Sequence, residues 1–155
     1  MKRIVSTFIL LISITAVNAQ TKIDKKMEKR VINPWTWQNE RSYNQAVEVT
    51  NAKGTLYVSG QTAINDDGVS SIADTKTQLE LAIKNLERVI IEAGYDCKNI
   101  VRLNIYTTST EELWPHFNIL QEWIDKHEMK QALTLLEVVS LFETLTVELE
   151  ATVVK

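Results

Sequence analysis

TKTQLELAIKNLERVIIEAGYDCKNIVRLNIYT, residues 75–107, carries two periods in succession, and the switch between them decides the fold class. In its first half Leu79, Ala82, Ile83, Leu86, Ile90 and Ala93 recur at steps of three and four. That spacing predicts an amphipathic helix over Thr75 to Ala93. Thr75 and Gln78 have the spacing of a capping box. Gly94 supplies the left-handed stop. Lys76, Glu80, Lys84, Glu87 and Arg88 fall on the opposite, solvated side. From Ile100 the period drops to two. Val101, Leu103, Ile105 and Thr107 point one way, toward the helix, and Ile100, Arg102, Asn104 and Tyr106 the other. A helix feeding a half-buried strand predicts helices layered on one face of a sheet.

Working outward, Glu111 and Glu112 suit a helix N-terminus. Pro115 is tolerated only in a first turn, which puts the start of the next helix near Leu113. Phe117, Leu120, Trp123 and Ile124 form its buried stripe. Strands are expected over Ala132–Val139 and Thr144–Val154, joined by residues 140–143. Toward the N-terminus, strands are expected over Lys29–Ile32, Ala46–Thr50 and Thr55–Ser59. Asn33-Pro34 marks a turn, Asn51 to Gly54 a hairpin-type turn, and Asn65 to Gly68 another. Trp35 and Trp37 are expected to line a cleft or, as is more frequent for such residues, to pack under a loop. Gly60, just after a strand, signals a bulge or a close backbone approach. The order is βββαβαββ, an α+β two-layer domain with helices on one face of a mixed sheet. The other sheet face carries apolar and aromatic residues, which predicts burial against sister subunits.

Residues 1–19 read as a secretory signal peptide. Lys2 and Arg3 precede an apolar run from Ile4 to Val17, and Val17-Asn18-Ala19 resembles a cleavage site. The mature chain is expected to begin at Gln20, with residues 20–28 a flexible leader and 29–155 one domain. The protein is expected to be exported, to a periplasm or beyond the cell, with no membrane span after cleavage. The net charge of −3 gives no electrostatic footprint for nucleic acid. With only four glycines, there is no phosphate loop or dinucleotide fingerprint. One cysteine, Cys97, cannot form an internal disulfide, and it reads as a small residue at a helix-to-strand turn. His116 and His127 do not have metal-ligand spacing. Glu148 and Glu150, two apart on a strand, share a face.

Several segments, in order, carry a resemblance. They are Ser42-Tyr43-Asn44-Gln45-Ala46-Val47; Leu56-Tyr57-Val58-Ser59-Gly60-Gln61; Gln78 to Gly94 with Asn85-Leu86 at its middle; Asn99-Ile100-Val101-Arg102; and Val147-Glu148-Leu149-Glu150-Ala151. Over residues 29–155 the chain resembles the RidA family, the YjgF-like reactive intermediate deaminases. The resemblance implies a chorismate-mutase-like fold and a homotrimer with clefts between subunits. It implies hydrolysis of enamines and imines to 2-keto acids and ammonia, without metal or cofactor. Its cleft residues match Tyr43, Gly60, Asn118 and Glu148 here, with Glu148 as the acid that positions the hydrolytic water.

One departure bears on activity. The family's deaminases carry an arginine in a Pro-Ala-Arg-Ser/Thr run that grips the substrate carboxylate; this chain reads Gln131-Ala132-Leu133-Thr134. Losing a charge-assisted bond of that kind costs about 1.5–3 kcal/mol. With Leu133 at the ligand-binding position, weak or altered deamination of a small-molecule ligand is expected. Two alternatives stay open: an active deaminase with a rearranged site, and a non-catalytic binding or chaperone-like module using the cleft or Trp35 and Trp37.

Overall fold

The computed structural model describes residues 25–155. The expected signal peptide and the first part of the leader lie outside the described residues. The strands are β1 (Glu28–Ile32), β2 (Ala46–Thr50), β3 (Thr55–Thr62), β4 (Ile100–Thr107), β5 (Ala132–Glu137) and β6 (Val147–Val154). The helices are α1 (Thr75–Glu92), α2 (Thr110–Leu113) and α3 (Phe117–Lys126). The order is the expected βββαβαββ with its second helix divided, and the architecture is α+β.

The core follows the two periods. Leu79, Ala82, Ile83, Leu86 and Ile90 of α1 are buried against Leu103 and Ile105 of β4 and Val147, Leu149, Ala151 and Val153 of β6. Leu120, Trp123 and Ile124 of α3 join the same cluster. The alternation along β4 slips at its start, where the register with β6 shifts between Ile100 and Arg102. The slip turns Ile100 into the core, although strict alternation puts it on the open face.

Hydrogen bonding divides the strands into two sheets rather than the single mixed sheet expected. β1 and β2 form an antiparallel pair, and the remaining strands run in the order β3-β6-β4-β5. In the larger sheet only β4 and β5 are parallel, because α2 and α3 make the crossover between them. The hairpin expected at residues 51–54 does not form between β2 and β3. Gly54 instead exchanges two backbone hydrogen bonds with Lys155 beyond β6, each 3.0 Å.

Several local expectations are corrected. The cap of α1 is Asp74, whose carboxylate accepts from the Thr77 N–H at 2.8 Å; Thr75 is already helical. Gln78 is buried and works as a staple, not a cap. Its amide donates to Ala73 O (2.9 Å) and Thr144 O (3.1 Å) and accepts from Thr146 N (2.9 Å). Ala93 is exposed and outside the stripe. Gly94 has φ +73°, as a left-handed stop requires. The second helical segment starts at Thr110 under a Ser109 cap, earlier than Leu113, because a 3-10 turn over Trp114–His116 absorbs Pro115. Strand β1 begins at Glu28, one residue earlier than expected. Lys29 within it donates to Lys98 O (2.6 Å) and Asn99 Oδ1 (3.1 Å), which anchors β1 to the turn before β4. Strands β5 and β6 are shorter than their apolar runs, ending at Glu137 and beginning at Val147. Trp35 and Trp37 are exposed, not packed under a loop.

Candidate functional site: the Gly60–Glu148 groove

β3 bulges between Val58 and Gln61, where its register against β6 shifts. Ser59 and Gly60 occupy the bulge, as a glycine interrupting a strand predicted. The reason for glycine is the neighbouring strand. A Cβ at residue 60 would collide with the Glu148 carboxylate and lie 2.8 Å from its Cγ. Glu148 therefore rests on the bulged backbone. Its carboxylate makes no hydrogen bond or ion pair with any described residue.

The groove around this contact, about 420 Å³, is lined by Ser59, Gly60, Tyr106, Glu148 and Glu150, with Ser140 and Leu141 from the β5–β6 loop. Glu148 and Glu150 share the open sheet face, as their spacing predicted. They differ in company. Glu150 accepts from Tyr106 Oη at 2.9 Å and from Asn104 Nδ2 at 3.3 Å. Arg102 extends the network, donating to Asn104 Oδ1 at 2.8 Å and Thr134 Oγ1 at 2.9 Å. The hydrogen bond to Glu150, with a smaller desolvation effect and the nearby carboxylate charges, raises the Tyr106 pKa above that of an ordinary phenol. Tyr106 thus stays a neutral donor beside the acids. One carboxylate is tied into a network and one is left unengaged at the bulge, which suits the second to orient a water.

The other expected ligand residues lie elsewhere in the chain. Leu133 pairs in register with Leu103, on the helix-covered face, and packs against the core. Glu148 pairs with Tyr106, whose β5 partner is Leu136. Leu133 and Glu148 are thus on opposite faces, with Leu133 roughly 10 Å further along the strand direction. Tyr43 sits at the Leu133 end. Asn44 bridges to Ala132, its N–H donates to Gln131 O at 2.9 Å, and Gln131 Nε2 donates to Ser42 O at 2.8 Å. The Tyr43 ring meets Trp37 edge-on at 6.2 Å. Asn118 is exposed in the first turn of α3, donating to Glu122 Oε1 at 3.2 Å. Within one chain, then, Gly60 and Glu148 meet, Tyr43 lies near the head of β5, and Asn118 joins neither.

A larger cavity of about 760 Å³ lies between α1 and residues 63–73. Its one arginine, Arg88, is already paired with Asp66 (2.6 Å) and Glu92 (3.0 Å), and Asn85 is spent on Thr62 O and Ile64 O. The Glu148 groove, though smaller, holds the unengaged reactive group.

A model of the family described as Endoribonuclease L-PSP matches residues 36–155. The chain belongs to this family, the RidA/YjgF-like proteins. Among RidA-family relatives, a RutC family protein of Aquifex aeolicus is 32% identical over 113 residues, covering 73% of this chain and 88% of the relative. A RutC family protein of Pyrococcus abyssi is 27% identical, covering 70% and 83%. Among solved structures, the conserved Rid-family protein YyfB of Yersinia pestis matches with a TM-score of 0.67 at 27% identity, over 82% of this chain and 98% of that one. E. coli TdcF, solved with bound serine, matches in fold with a TM-score of 0.60 at 22% identity, over 73% and 87%.

Sequence reasoning missed one further group. Glu87, expected on the solvated side of α1, accepts hydrogen bonds at Oε1 from Trp123 Nε1 (2.7 Å) and His127 Nε2 (2.7 Å). Cys97 lies beside them. No short-range spacing could find this set, because its members come from three separate elements.

Proposed function

We propose that the chain is an exported RidA-family protein whose Glu148 groove binds a small imine, enamine or related carbonyl compound and hydrolyses 2-imino acids weakly. The observation that carries this reading is the unengaged Glu148 carboxylate resting on the Gly60 bulge. In the reaction, the oxygen of a water held by Glu148 bonds to the imine carbon, and the water's proton passes to the carboxylate. That proton returns to the nitrogen to give a carbinolamine; Glu148 then carries the carbinolamine's hydroxyl proton to the nitrogen, the C=O bond forms as the C–N bond breaks, and ammonia leaves with a carbonyl product. The chemistry requires no redox partner.

The separation of Tyr43 and Leu133 from Glu148 supports a site completed by another copy of the chain, in a trimer. The open face supports the same reading: Tyr57 is 79% exposed and Leu136 50%, with Val139 and Phe142 exposed in the adjoining loop. Weak rather than full deamination follows from Leu133. An apolar side chain there offers a substrate carboxylate no partner. Glu148 and Glu150 on the same face would also repel a phosphate backbone, which argues against an RNA substrate.

The test is hydrolysis of 2-aminoacrylate, with an arginine-bearing relative as the reference. Wild type should turn over at least about tenfold more slowly, the loss of one charge-assisted bond. Glu148→Gln should remove the remainder. Leu133→Arg places a charge at the edge of the core, so its folding is checked by circular dichroism; where it folds, a guanidinium turned toward a neighbouring copy's groove should raise the rate. Turnover equal to the reference would overturn the weakened activity, and an unchanged Glu148→Gln rate would overturn the role of the groove. Sedimentation reports the trimer. Export predicts that the protein recovered from outside the cytoplasm begins at Gln20.

A further inference from the structure

We propose that Glu87, Cys97 and His127 form a binding site for a divalent transition-metal ion of the zinc class. One carboxylate oxygen, the thiol sulfur and one imidazole nitrogen all lie within 4.8 Å of one another. Glu87 projects from α1, Cys97 from the 3-10 turn that follows it, and His127 from the end of α3. Three elements of the packed layer therefore hold the ligands. Carboxylate, thiolate and imidazole together suit a borderline-soft ion with a fourth position for water.

Burial is graded in the way such a site needs. Cys97 is 3% exposed, while the side chains of His127 and Glu87 are 23% and 24% exposed. The sulfur is thus buried, while the other two ligands are partly exposed to solvent. The Trp123 indole N–H bonded to Glu87 Oε1 supplies an outer partner that fixes the carboxylate. The His127–Glu87 hydrogen bond of the metal-free form is exchanged for two coordination bonds. The charges balance: a carboxylate and a thiolate cancel a divalent cation, with the imidazole neutral.

The metal-free thiol is kept protonated. Burial first, then the Glu87 and Asp96 charges, push it up to about 11, against a smaller opposing effect of Lys126. A divalent ion would reverse that balance, coordinating sulfur and releasing its proton to solvent. The charged groups around the sulfur are Glu87 on α1, Asp96 before the turn, and Lys126 and His127 on α3.

The experiment titrates chelator-treated full-length protein with Co(II) alone and follows the thiolate-to-cobalt charge-transfer band. The band should saturate at one equivalent, with one proton released at neutral pH, and Zn(II) should abolish it. Trp123→Phe should weaken binding about 10–100-fold while leaving the band's shape unchanged. Cys97→Ala should erase the band. Absence of a thiolate band in the wild type would overturn the proposal, even if a variant fails to fold. So would retention of the band in a folded Cys97→Ala variant, or binding insensitive to His127→Gln.

Discussion

The Glu148 carboxylate occupies the space that a side chain on residue 60 would need. Gly60 and Glu148 are therefore one feature, a bulged backbone and the acid that rests on it. This predicts a particular outcome for Gly60→Ala. The clash is with a flexible side chain, so Glu148 can swing aside at about 0.5–1.5 kcal/mol. Stability should fall little while activity falls as far as in Glu148→Gln. Thermal melts and 2-aminoacrylate turnover measured on the same samples check this. Full turnover by Gly60→Ala would show that the close contact has no functional consequence.

Glu150 should govern the ionisation of Tyr106. The carboxylate accepts the phenol's hydrogen bond and repels the phenolate, and both effects hold the proton on the oxygen. Glu150→Gln removes the charge, so the Tyr106 pKa should move down toward the ordinary phenol value. A pH titration of phenolate absorbance, with Tyr106→Phe used to isolate the signal, reads the direction. An unchanged or raised pKa in Glu150→Gln would contradict the electrostatic account.

The parts of the fold that were legible in the sequence are those set by local period. Leu79, Leu86 and Ile90 announce a buried helix face, and Leu103 with Ile105 a buried strand face, because side-chain direction follows backbone geometry. Gly60 was legible as a bulge because glycine in a strand loses packing that something else must explain. The missed features depend on distant partners. Glu87 was placed in solvent by its charge, yet its partners Trp123 and His127 lie in a later helix. Asp74 and Thr75 are both competent caps, and only the extended backbone at Asp74 decides between them. The spread of Tyr43, Leu133 and Glu148 over two ends of the sheet is likewise a property of strand pairing. No spacing along the chain records it.

Gln78 should be a stability determinant out of proportion to its polarity. It is buried, and its one amide satisfies two carbonyls and one N–H that join α1 to the segment leading into β6. Gln78→Leu keeps similar bulk but strands Ala73 O, Thr144 O and Thr146 N. Each buried unsatisfied group costs about 1–3 kcal/mol, so a loss of roughly 2–4 kcal/mol is expected after partial hydration of the loop carbonyls. Urea denaturation with an unchanged m-value would report it. A loss below about 1 kcal/mol would mean that the staple is replaceable by water.

Acid sensitivity should begin at the helix and turn caps. Asp74 accepts from the Thr77 N–H, Asp96 from the Lys98 N–H, and Glu137 from the Thr110 hydroxyl and N–H. Each bond favours the ionised carboxyl and lowers its pKa in the folded chain. A folded pKa below the unfolded one means stability that is fully present above the ordinary carboxylate range of about 4. It is lost as pH falls through the lowered folded values. Asn caps a helix about as well as Asp but does not titrate. Asp74→Asn should therefore match wild type near neutrality and lose stability less steeply between about pH 4 and pH 2. The difference should shrink in high salt, because the group is exposed and its charge effects are screened. Parallel Tm-versus-pH slopes for the two proteins would show that the Asp74 cap contributes nothing to the acid limb.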